Sequence, residues 1–321
     1  MVKWGIIGAG RISEKFIKAC NVLKDDCIVT AVAANDNKRA KDFASRFNIE
    51  NYYGSYEDML KSADIDAVYI GNIHPMHYGS CMLAMKYNKH ILCEKPFSMN
   101  AKDSAEVFEL AKIKNLFCME ALWTRFNPIY KMVFEWIDKG YIGKVKSIYA
   151  DYSSDFAYNE DSRLFNKKSG GGALLDIGIY PLNFAAMFLK SEIVSIKSQV
   201  ELLPSKVDDT TEILIKYSDG TSAVISCSFS RLSGNNGYIY GQKGYIHVPD
   251  FHKASKCILR NSSDKDTVYE PKMVDKFAYQ IMEANACIKN GEIVSKTMPP
   301  EETIKIQKIM DNILADNKII Y

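Results

Sequence analysis

Two short segments of the chain carry side chains that could move a proton. Lys95 lies in the segment CEKP, directly after an apolar run that predicts a β-strand, and the proline that follows restricts the chain direction there. Asp176 and Tyr180 are four residues apart, so they share one face if their segment is helical. A phenol can donate or accept a proton, and an ammonium group can stabilise the oxygen anion that remains. Each residue also has an ordinary structural interpretation: Lys95 as a surface cation, Asp176 as a charge near the start of a helix, and Tyr180 as a core aromatic.

A glycine-rich turn follows the first apolar run. The segment GAGRIS, residues 8–13, stands between a predicted strand and a predicted helix, which is the context of a dinucleotide-binding turn. Gly8 allows the tight turn, and Gly10 lets a pyrophosphate approach the N–H groups at the helix N-terminus. Ser13 takes the place of the third glycine, a position that serves close packing of helix against strand. A turn that needs glycine only for backbone reasons is the alternative, and the strand–turn–helix context favours the dinucleotide.

The end of the second predicted strand bears on which dinucleotide is bound. An acidic residue there accepts a hydrogen bond from the ribose 2′-hydroxyl of NAD and repels the 2′-phosphate of NADP. The chain has Ala34 and Asn35 at this point, and Lys38 and Arg39 follow, which could pair with a phosphate. These residues favour NADP, while Asp36 leaves NAD open because its carboxylate could turn toward the ribose.

The elements that must position these residues fall into two regions. From residue 2 to about residue 120, apolar runs alternate with amphipathic stretches, which predicts five or six parallel strands covered by helices on both faces. After Trp123, longer strands joined by short turns predict a mostly antiparallel sheet. The predicted strands are 4–7, 28–33, 67–70, 90–94 and 116–120 in the first region and 145–152, 194–203, 212–217, 222–229, 237–240 and 245–248 in the second.

The length of 321 residues fits two domains at about 150 residues each. We predict an α/β Rossmann domain over residues 1–122 and an α+β domain with a mostly antiparallel open sheet over residues 123–321.

Composition and charge limit the classes of function. Apolar residues make up 47% of the chain and charged residues 25%, as in an ordinary globular protein. The formal net charge is +2 and no long block of like charges occurs, so we expect no nucleic-acid partner and no membrane partner. We also expect no signal peptide and no membrane span, because no run of about 18 apolar residues occurs.

The 8 cysteines form no CxxC motif and no cluster with histidine at metal-ligand spacing. We therefore expect reduced and mostly buried thiols, no metal site and a cytoplasmic location.

Five motifs in order narrow the interpretation further: GAGRIS, then HPMH at residues 74–77, CEKP, EALWTRF and GGGALLDIGIY. This ordered set resembles the Gfo/Idh/MocA family of oxidoreductases from residue 3 to about residue 230. Within the family, the segments EALWTRF and GGGALLDIGIYPL are most similar to the branch that contains the dimeric dihydrodiol dehydrogenases and the NADP-dependent D-xylose dehydrogenases. Many members of the family have histidine where this chain has Tyr180. The tyrosine is typical of the part of the family that contains the dihydrodiol dehydrogenases and the glucose–fructose oxidoreductases.

The resemblance implies roles for individual residues. Tyr180 would be the general acid and base, Lys95 would stabilise its phenolate and hold the substrate hydroxyl, and Asp176 would orient Lys95 or a substrate hydroxyl. The branch commonly has arginine at the position of Asn35. The residues implied to bind the cofactor are Gly8, Gly10, Arg11, Ile12, Asn35, Lys38, Arg39, Gly71, Asn72, His74, Glu94, Lys95, Trp123 and Arg125.

The predicted function is NAD(P)-dependent transfer of a hydride between nicotinamide and a carbinol or carbonyl carbon of a sugar, polyol or cyclic diol. The resemblance further implies a homodimer formed through the C-terminal sheet. Candidate contributors to the substrate pocket are Tyr152, Phe156, Arg163 and Tyr238. Two alternatives are a cofactor-binding sensor or regulator without catalysis and a reductase similar to biliverdin reductase. The joint presence of Lys95 and Tyr180 favours the dehydrogenase.

Overall fold

The chain forms two compact units in a computed structural model that describes residues 1–261 and 266–321. The first unit comprises Met1–Trp123 and Val274–Gln307, and the second comprises Thr124–Met273 and Lys308–Tyr321. The strands are β1 (Val2–Ile7), β2 (Cys27–Ala33), β3 (Asn51–Tyr53), β4 (Ala67–Ile70), β5 (His90–Glu94), β6 (Cys118–Ala121), β7 (Val145–Ser153), β8 (Ile193–Leu202), β9 (Asp208–Tyr217), β10 (Ser222–Ser228), β11 (Gly237–Gly241), β12 (Gly244–Val248), β13 (Cys257–Asn261) and β14 (Thr267–Tyr269). The helices are α1 (Arg11–Val22), α2 (Asn37–Phe47), α3 (Tyr56–Ser62), α4 (His77–Lys86), α5 (Ala101–Ile113), α6 (Ile129–Asp138), α7 (Ile179–Phe188), α8 (Ala278–Lys289) and α9 (Pro300–Asp316).

The first unit is built on a parallel sheet of six strands in the order β3-β2-β1-β4-β5-β6. The strand order reverses between β1 and β4, so the chain continues in opposite directions along the sheet after these two strands, and doubly wound sheets bind ligands at the carboxyl edge beside such a reversal. All four residues of β4 are buried, as expected for a parallel strand covered on both faces. The Rossmann fold predicted for this region is confirmed.

The late segment Val274–Gln307 belongs to the first unit, whereas the sequence placed every residue after 122 in the second domain. Two buried hydrogen bonds explain its position. The Trp4 indole N–H donates to the side-chain oxygen of Asn285 on α8 over 3.0 Å, and the Thr303 hydroxyl on α9 donates to the Glu120 carboxylate over 2.9 Å. Elements from both ends of the chain therefore complete this unit.

The second unit contains a sheet of eight strands in the order β14-β13-β12-β11-β7-β10-β9-β8. Its neighbouring strands pair antiparallel except β7 and β10, which are parallel, so the predicted mostly antiparallel sheet is confirmed. In β9 the buried residues Ile213, Ile215 and Tyr217 alternate with exposed ones, which shows that one face of the sheet is covered and the other is open.

A long apolar segment lies in the second unit. In the part of the chain that the structure describes, Lys167–Phe188 is the candidate that could cross a membrane by length and composition, and 94% of its apolar window is buried inside the protein. Its last ten residues form α7, which packs on β7 and β10. The segment therefore serves as a core helix of this unit.

Candidate active site

The glycine turn after β1 has the geometry that the sequence predicts. Gly8 has φ of 103°, and a Cβ on it would come within 2.8 Å of the Asn72 backbone nitrogen, so the loops after β1 and β4 touch at this glycine. Gly10 stands in extended conformation immediately before α1, which begins at Arg11. The buried Ser13 hydroxyl donates to the Gly8 carbonyl over 2.5 Å. The serine in place of the third glycine thus adds a hydrogen bond that holds the turn against α1.

A pocket of about 320 Å³ lies between this turn and the start of α2. Arg39 donates from its guanidinium to the Ala9 carbonyl over 3.2 Å. The Asp36 carboxylate caps α2 by accepting from the Arg39 backbone N–H over 2.7 Å. Asn35, a predicted cofactor residue, is exposed and does not line the pocket. The lining residues are Ala9, Asp36, Lys38, Arg39, Asp42, Phe43 and Arg46.

The loop after β4 is tied to the loop after β5 by a histidine to which the sequence analysis assigned no role. His77 is fully buried, and its Nδ1 lies 2.8 Å from the Pro96 carbonyl oxygen while its Nε2 lies 3.1 Å from the Asn72 carbonyl oxygen. The Asn72 side chain donates to the Ser80 hydroxyl over 2.8 Å. His74 is also buried, with its ring 5.8 Å from that of His77. The sequence signal for this contact is the motif HPMH, whose second histidine is His77, the residue that joins the two loops.

Glu94, the last residue of β5, and Lys95, which follows it, lie in contrasting environments. The Glu94 carboxylate is buried and accepts from the Tyr69 hydroxyl over 2.6 Å and from the Lys95 backbone N–H over 3.2 Å. Burial raises the pKa of this carboxyl group. Glu94 therefore acts within the protein to fix the backbone from which the half-buried Lys95 side chain extends.

A second buried carboxylate holds the chain just beyond Lys95. Glu120 on β6 accepts from the Phe97 backbone N–H over 3.0 Å and from the Thr303 hydroxyl over 2.9 Å. The sequence carries no signal for this role of Glu120, because its partners become neighbours only when the sheet forms.

Two of the residues implied to bind the cofactor, Trp123 and Arg125, belong to different units. Trp123 ends the main segment of the first unit, and its ring centroid lies 6.2 Å from that of Phe277. Arg125 belongs to the second unit, where it is buried and donates to the Asn183 side chain on α7 over 3.0 Å. Arg125 therefore helps to hold α7, the helix that contains Tyr180.

Asp176 and Tyr180 lie on one continuous helical segment, which is the condition under which their spacing places them on one face. A single π-helical turn, Leu174–Gly178, leads directly into α7, and such turns are frequent at functional sites. Gly178 is required there because a Cβ would come within 2.8 Å of the Cys227 sulfur on β10. Asp176 is buried and accepts from the Arg163 guanidinium over 3.1 Å, so the predicted pocket candidate Arg163 does reach the site.

Tyr180 is 8% exposed and stands in an aromatic group. Its ring centroid lies 5.5 Å from that of Tyr152 and 6.3 Å from that of His252. The Tyr152 and His252 rings stack at 4.0 Å. His252 carried no signal in the sequence, because it lies 72 residues beyond Tyr180 outside any motif.

The other two pocket candidates lie elsewhere in the second unit. Phe156 packs on Phe229, with ring centroids 5.4 Å apart, and Tyr238 stacks on His247 over 4.3 Å. In residues 1–261 and 266–321, no group of three or more His, Cys, Asp or Glu side chains could hold a metal ion.

A dinucleotide turn on a Rossmann sheet, together with a second α+β unit that carries the Asp-x-Gly-x-Tyr segment, defines an NAD(P)-dependent oxidoreductase of two domains. Two family models match the chain: "Oxidoreductase family, NAD-binding Rossmann fold" over residues 2–122 and "GFO/IDH/MocA C-terminal domain" over residues 130–247. The protein belongs to the Gfo/Idh/MocA family.

Curated relatives and solved structures agree with this assignment. The trans-1,2-dihydrobenzene-1,2-diol dehydrogenase of Xenopus laevis is 35% identical over 328 residues, covering 99% of both chains, and that of Homo sapiens is 29% identical over 97% of this chain and 96% of the relative. The fold is similar to a 3-ketoreductase from Actinomadura kijaniata in complex with NADP and TDP-benzene, with a TM-score of 0.86 and 24% identity over 97% of this chain and 96% of that one. It is also similar to a levoglucosan dehydrogenase in complex with NADH, with a TM-score of 0.88 and 19% identity over 98% of this chain and 96% of that one.

Proposed function

We propose that the protein catalyses hydride transfer between a nicotinamide dinucleotide and the carbinol or carbonyl carbon of a cyclic diol, sugar or polyol. The observation that carries the proposal is the buried Asp176 and Tyr180 pair on one helical segment, in a chain that also has the dinucleotide turn. The names of relatives that match along 99% of this chain support a diol as substrate.

The chemistry divides between the cofactor and the protein. When bound, the nicotinamide supplies or accepts the hydride. Tyr180 gives a proton to the substrate oxygen during reduction and takes it back during oxidation, since a phenol can act as donor and as acceptor. Lys95 supplies positive charge that stabilises the phenolate and the substrate oxygen. Arg163 holds the Asp176 carboxylate through Oδ1, and we propose that this fixed carboxylate orients a substrate hydroxyl.

Tyr180→Phe and Lys95→Met test these roles. We expect each variant to lower kcat at least about 100-fold, because each removes a group that acts on the reacting oxygen, and Tyr180→Phe should change the cofactor Kd less than about threefold. Turnover is followed by nicotinamide absorbance with trans-dihydrodiols, aldoses and polyols as substrates.

The matched controls are Tyr141→Phe, at an exposed tyrosine, and Lys102→Met, at an exposed lysine. Near-normal turnover of either active-site variant would show that the role assignment is wrong. Tight cofactor binding by the wild type without turnover of any substrate would point instead to a sensor or regulator.

We propose NADP as the preferred cofactor. Lys38 and Arg39 line the pocket beside the glycine turn, and the Asp36 carboxylate is engaged in capping α2, which supports binding of a 2′-phosphate over a free ribose hydroxyl.

We also propose a cytoplasmic homodimer that forms through the open face of the C-terminal sheet, without nucleic-acid or membrane partners. Exposed apolar side chains on this face support the dimer; they include Leu214 and Val224, which are opposite each other on β9 and β10, and Tyr240 on β11. The eight free, buried cysteines support the location.

A further inference from the structure

The helical segment that carries Asp176 and Tyr180 begins at a tightly constrained glycine loop. Gly170 and Gly172 have φ of 68° and 112°, which favours glycine at both positions. A Cβ on Gly171 would come within 2.6 Å of the Leu164 carbonyl oxygen, and the Gly172 N–H donates to that same carbonyl over 2.8 Å. The loop is thus pressed against residues that precede it in the chain.

A buried carboxylate from another strand closes the loop on the opposite side. Asp208 begins β9 and is fully buried. Its Oδ2 accepts from the Leu174 backbone N–H over 2.6 Å and from the Thr211 hydroxyl over 3.0 Å. Asp208 therefore caps the first helical turn, which helices normally achieve with a residue next to them in sequence.

The second oxygen of Asp208 explains the glycine at position 172. A Cβ there would lie 2.3 Å from Oδ1.

Burial raises the pKa of Asp208 to about 6, and its titratable neighbours are Asp209, Cys227 and Tyr321.

Tyr321 makes the remaining contact with the loop. Its hydroxyl donates to the Gly171 carbonyl and lies 2.8 Å from the point where a Cβ on Gly172 would stand. Burial raises the pKa of this phenol, and the Asp208 charge adds to the effect. The tyrosine thus remains a neutral donor to the loop.

We propose that Asp208 and Tyr321 are positioning residues for the reaction, which fix the start of the helical segment so that Asp176 and Tyr180 are held in their working orientation. The proposal rests on the proposed function, because it assigns a purpose to the placement of those two side chains. Asp176 lies only two residues after Leu174 and its own N–H bonds to the Gly172 carbonyl over 3.2 Å, so movement of the cap reaches it directly.

The kinetic test compares Asp208→Ala with Asp208→Asn. We expect the alanine variant to lower kcat at least tenfold, with substrate KM and cofactor Kd each within threefold of wild type. The asparagine variant should recover kcat to within about threefold, because its amide oxygen accepts the same two hydrogen bonds.

Asp219→Ala is the matched control, since Asp219 also accepts from a backbone N–H and a threonine hydroxyl, both of Thr221, but in an exposed turn. A kcat for Asp208→Ala within twofold of this control, or equal losses in the alanine and asparagine variants, would overturn the proposal.

A second variant tests Tyr321, and hydrogen exchange tests the role of Asp208 independently of activity. Tyr321→Phe removes only the hydroxyl, and we expect a two- to fivefold lower kcat with unchanged KM. Hydrogen exchange should become faster in the peptide spanning residues 170–180 of Asp208→Ala and stay unchanged in β9 beyond Thr211. Unchanged exchange in 170–180 would show that Asp208 does not hold the segment, whereas normal turnover by Tyr180→Phe would overturn the proposed function alone.

Discussion

Asp208 gives the protein a stability component that depends on pH with an unusual sign. Its pKa in the folded protein is about 6, raised from 3.8 by burial, so the folded state binds this proton more tightly than the unfolded chain does. The protonated Asp208 therefore stabilises the folded state; this contribution to the free energy of unfolding is complete below about pH 4 and is lost as the pH rises through about 6. Two pKa units correspond to about 3 kcal/mol in the free energy of unfolding.

Asp208→Asn should therefore stabilise the protein relative to wild type by about 3 kcal/mol more at pH 7 than at pH 4, since it removes the buried charge. Urea unfolding at both pH values measures the difference. Asp219→Asn should show almost no difference between the two pH values, because hydrogen bonds from Thr221 lower the pKa of Asp219, so its contribution is lost only below about pH 4. A pH-independent effect of Asp208→Asn would contradict the expectation.

Sequence motifs revealed the residues that stand next to one another along the chain. Asp176 and Tyr180 share one motif, and Lys95 sits in another. Asp208 contacts Leu174 from 34 residues away and Tyr321 contacts Gly171 from 150 residues away, and neither Asp208 nor Tyr321 lies in a recognisable motif. Contacts of this kind depend on how strands order themselves in a sheet, which local spacing does not encode.

The proposed preference for NADP rests on the start of α2. Lys38→Ala and Arg39→Ala should each weaken NADP binding at least fivefold and leave NAD binding within twofold, because both side chains line the pocket that would receive the 2′-phosphate. Fluorescence titration with each cofactor measures the two affinities.

Lys102→Ala is the control for this helix terminus, since Lys102 is the second residue of α5 as Lys38 is of α2. Equal weakening of both cofactors in the Lys38 and Arg39 variants would show that these side chains do not select NADP.

The short strands at the sheet edges escaped prediction for a physical reason. β3 and β14 have three residues each, and neither contains a fully buried side chain. A strand so short and so exposed lacks the apolar alternation that marks a longer one. β13, with five residues, is not among the predicted strands either. The other strands of both sheets follow the period of two or are apolar throughout, and their predicted bounds lie within a few residues of the observed ones.

The whole molecule should be a dimer in solution. Light scattering should give about twice the chain mass of 36.3 kDa at micromolar concentration. Val224→Asp should shift the protein toward monomer, because this half-exposed valine lies on the open sheet face between Leu214 and Tyr149. Val22→Asp, at the exposed end of α1 in the first unit, should leave the mass unchanged. A wild-type protein that scatters as a monomer would rule out the dimer.

The first unit is built from two separate segments of the chain, which has a consequence for its synthesis on the ribosome. The amino-terminal strand meets its partner Asn285 across 281 residues, and Glu120 meets Thr303 across 183. While the first 123 residues emerge, Trp4 and Glu120 therefore lack these hydrogen bonds, and the surface later covered by α8 is open to other nascent chains and to chaperones. Synthesis of the cofactor-binding unit starts first and ends nearly last, so a chain whose synthesis stops between residues 124 and 273 carries a Rossmann sheet without its closing helices.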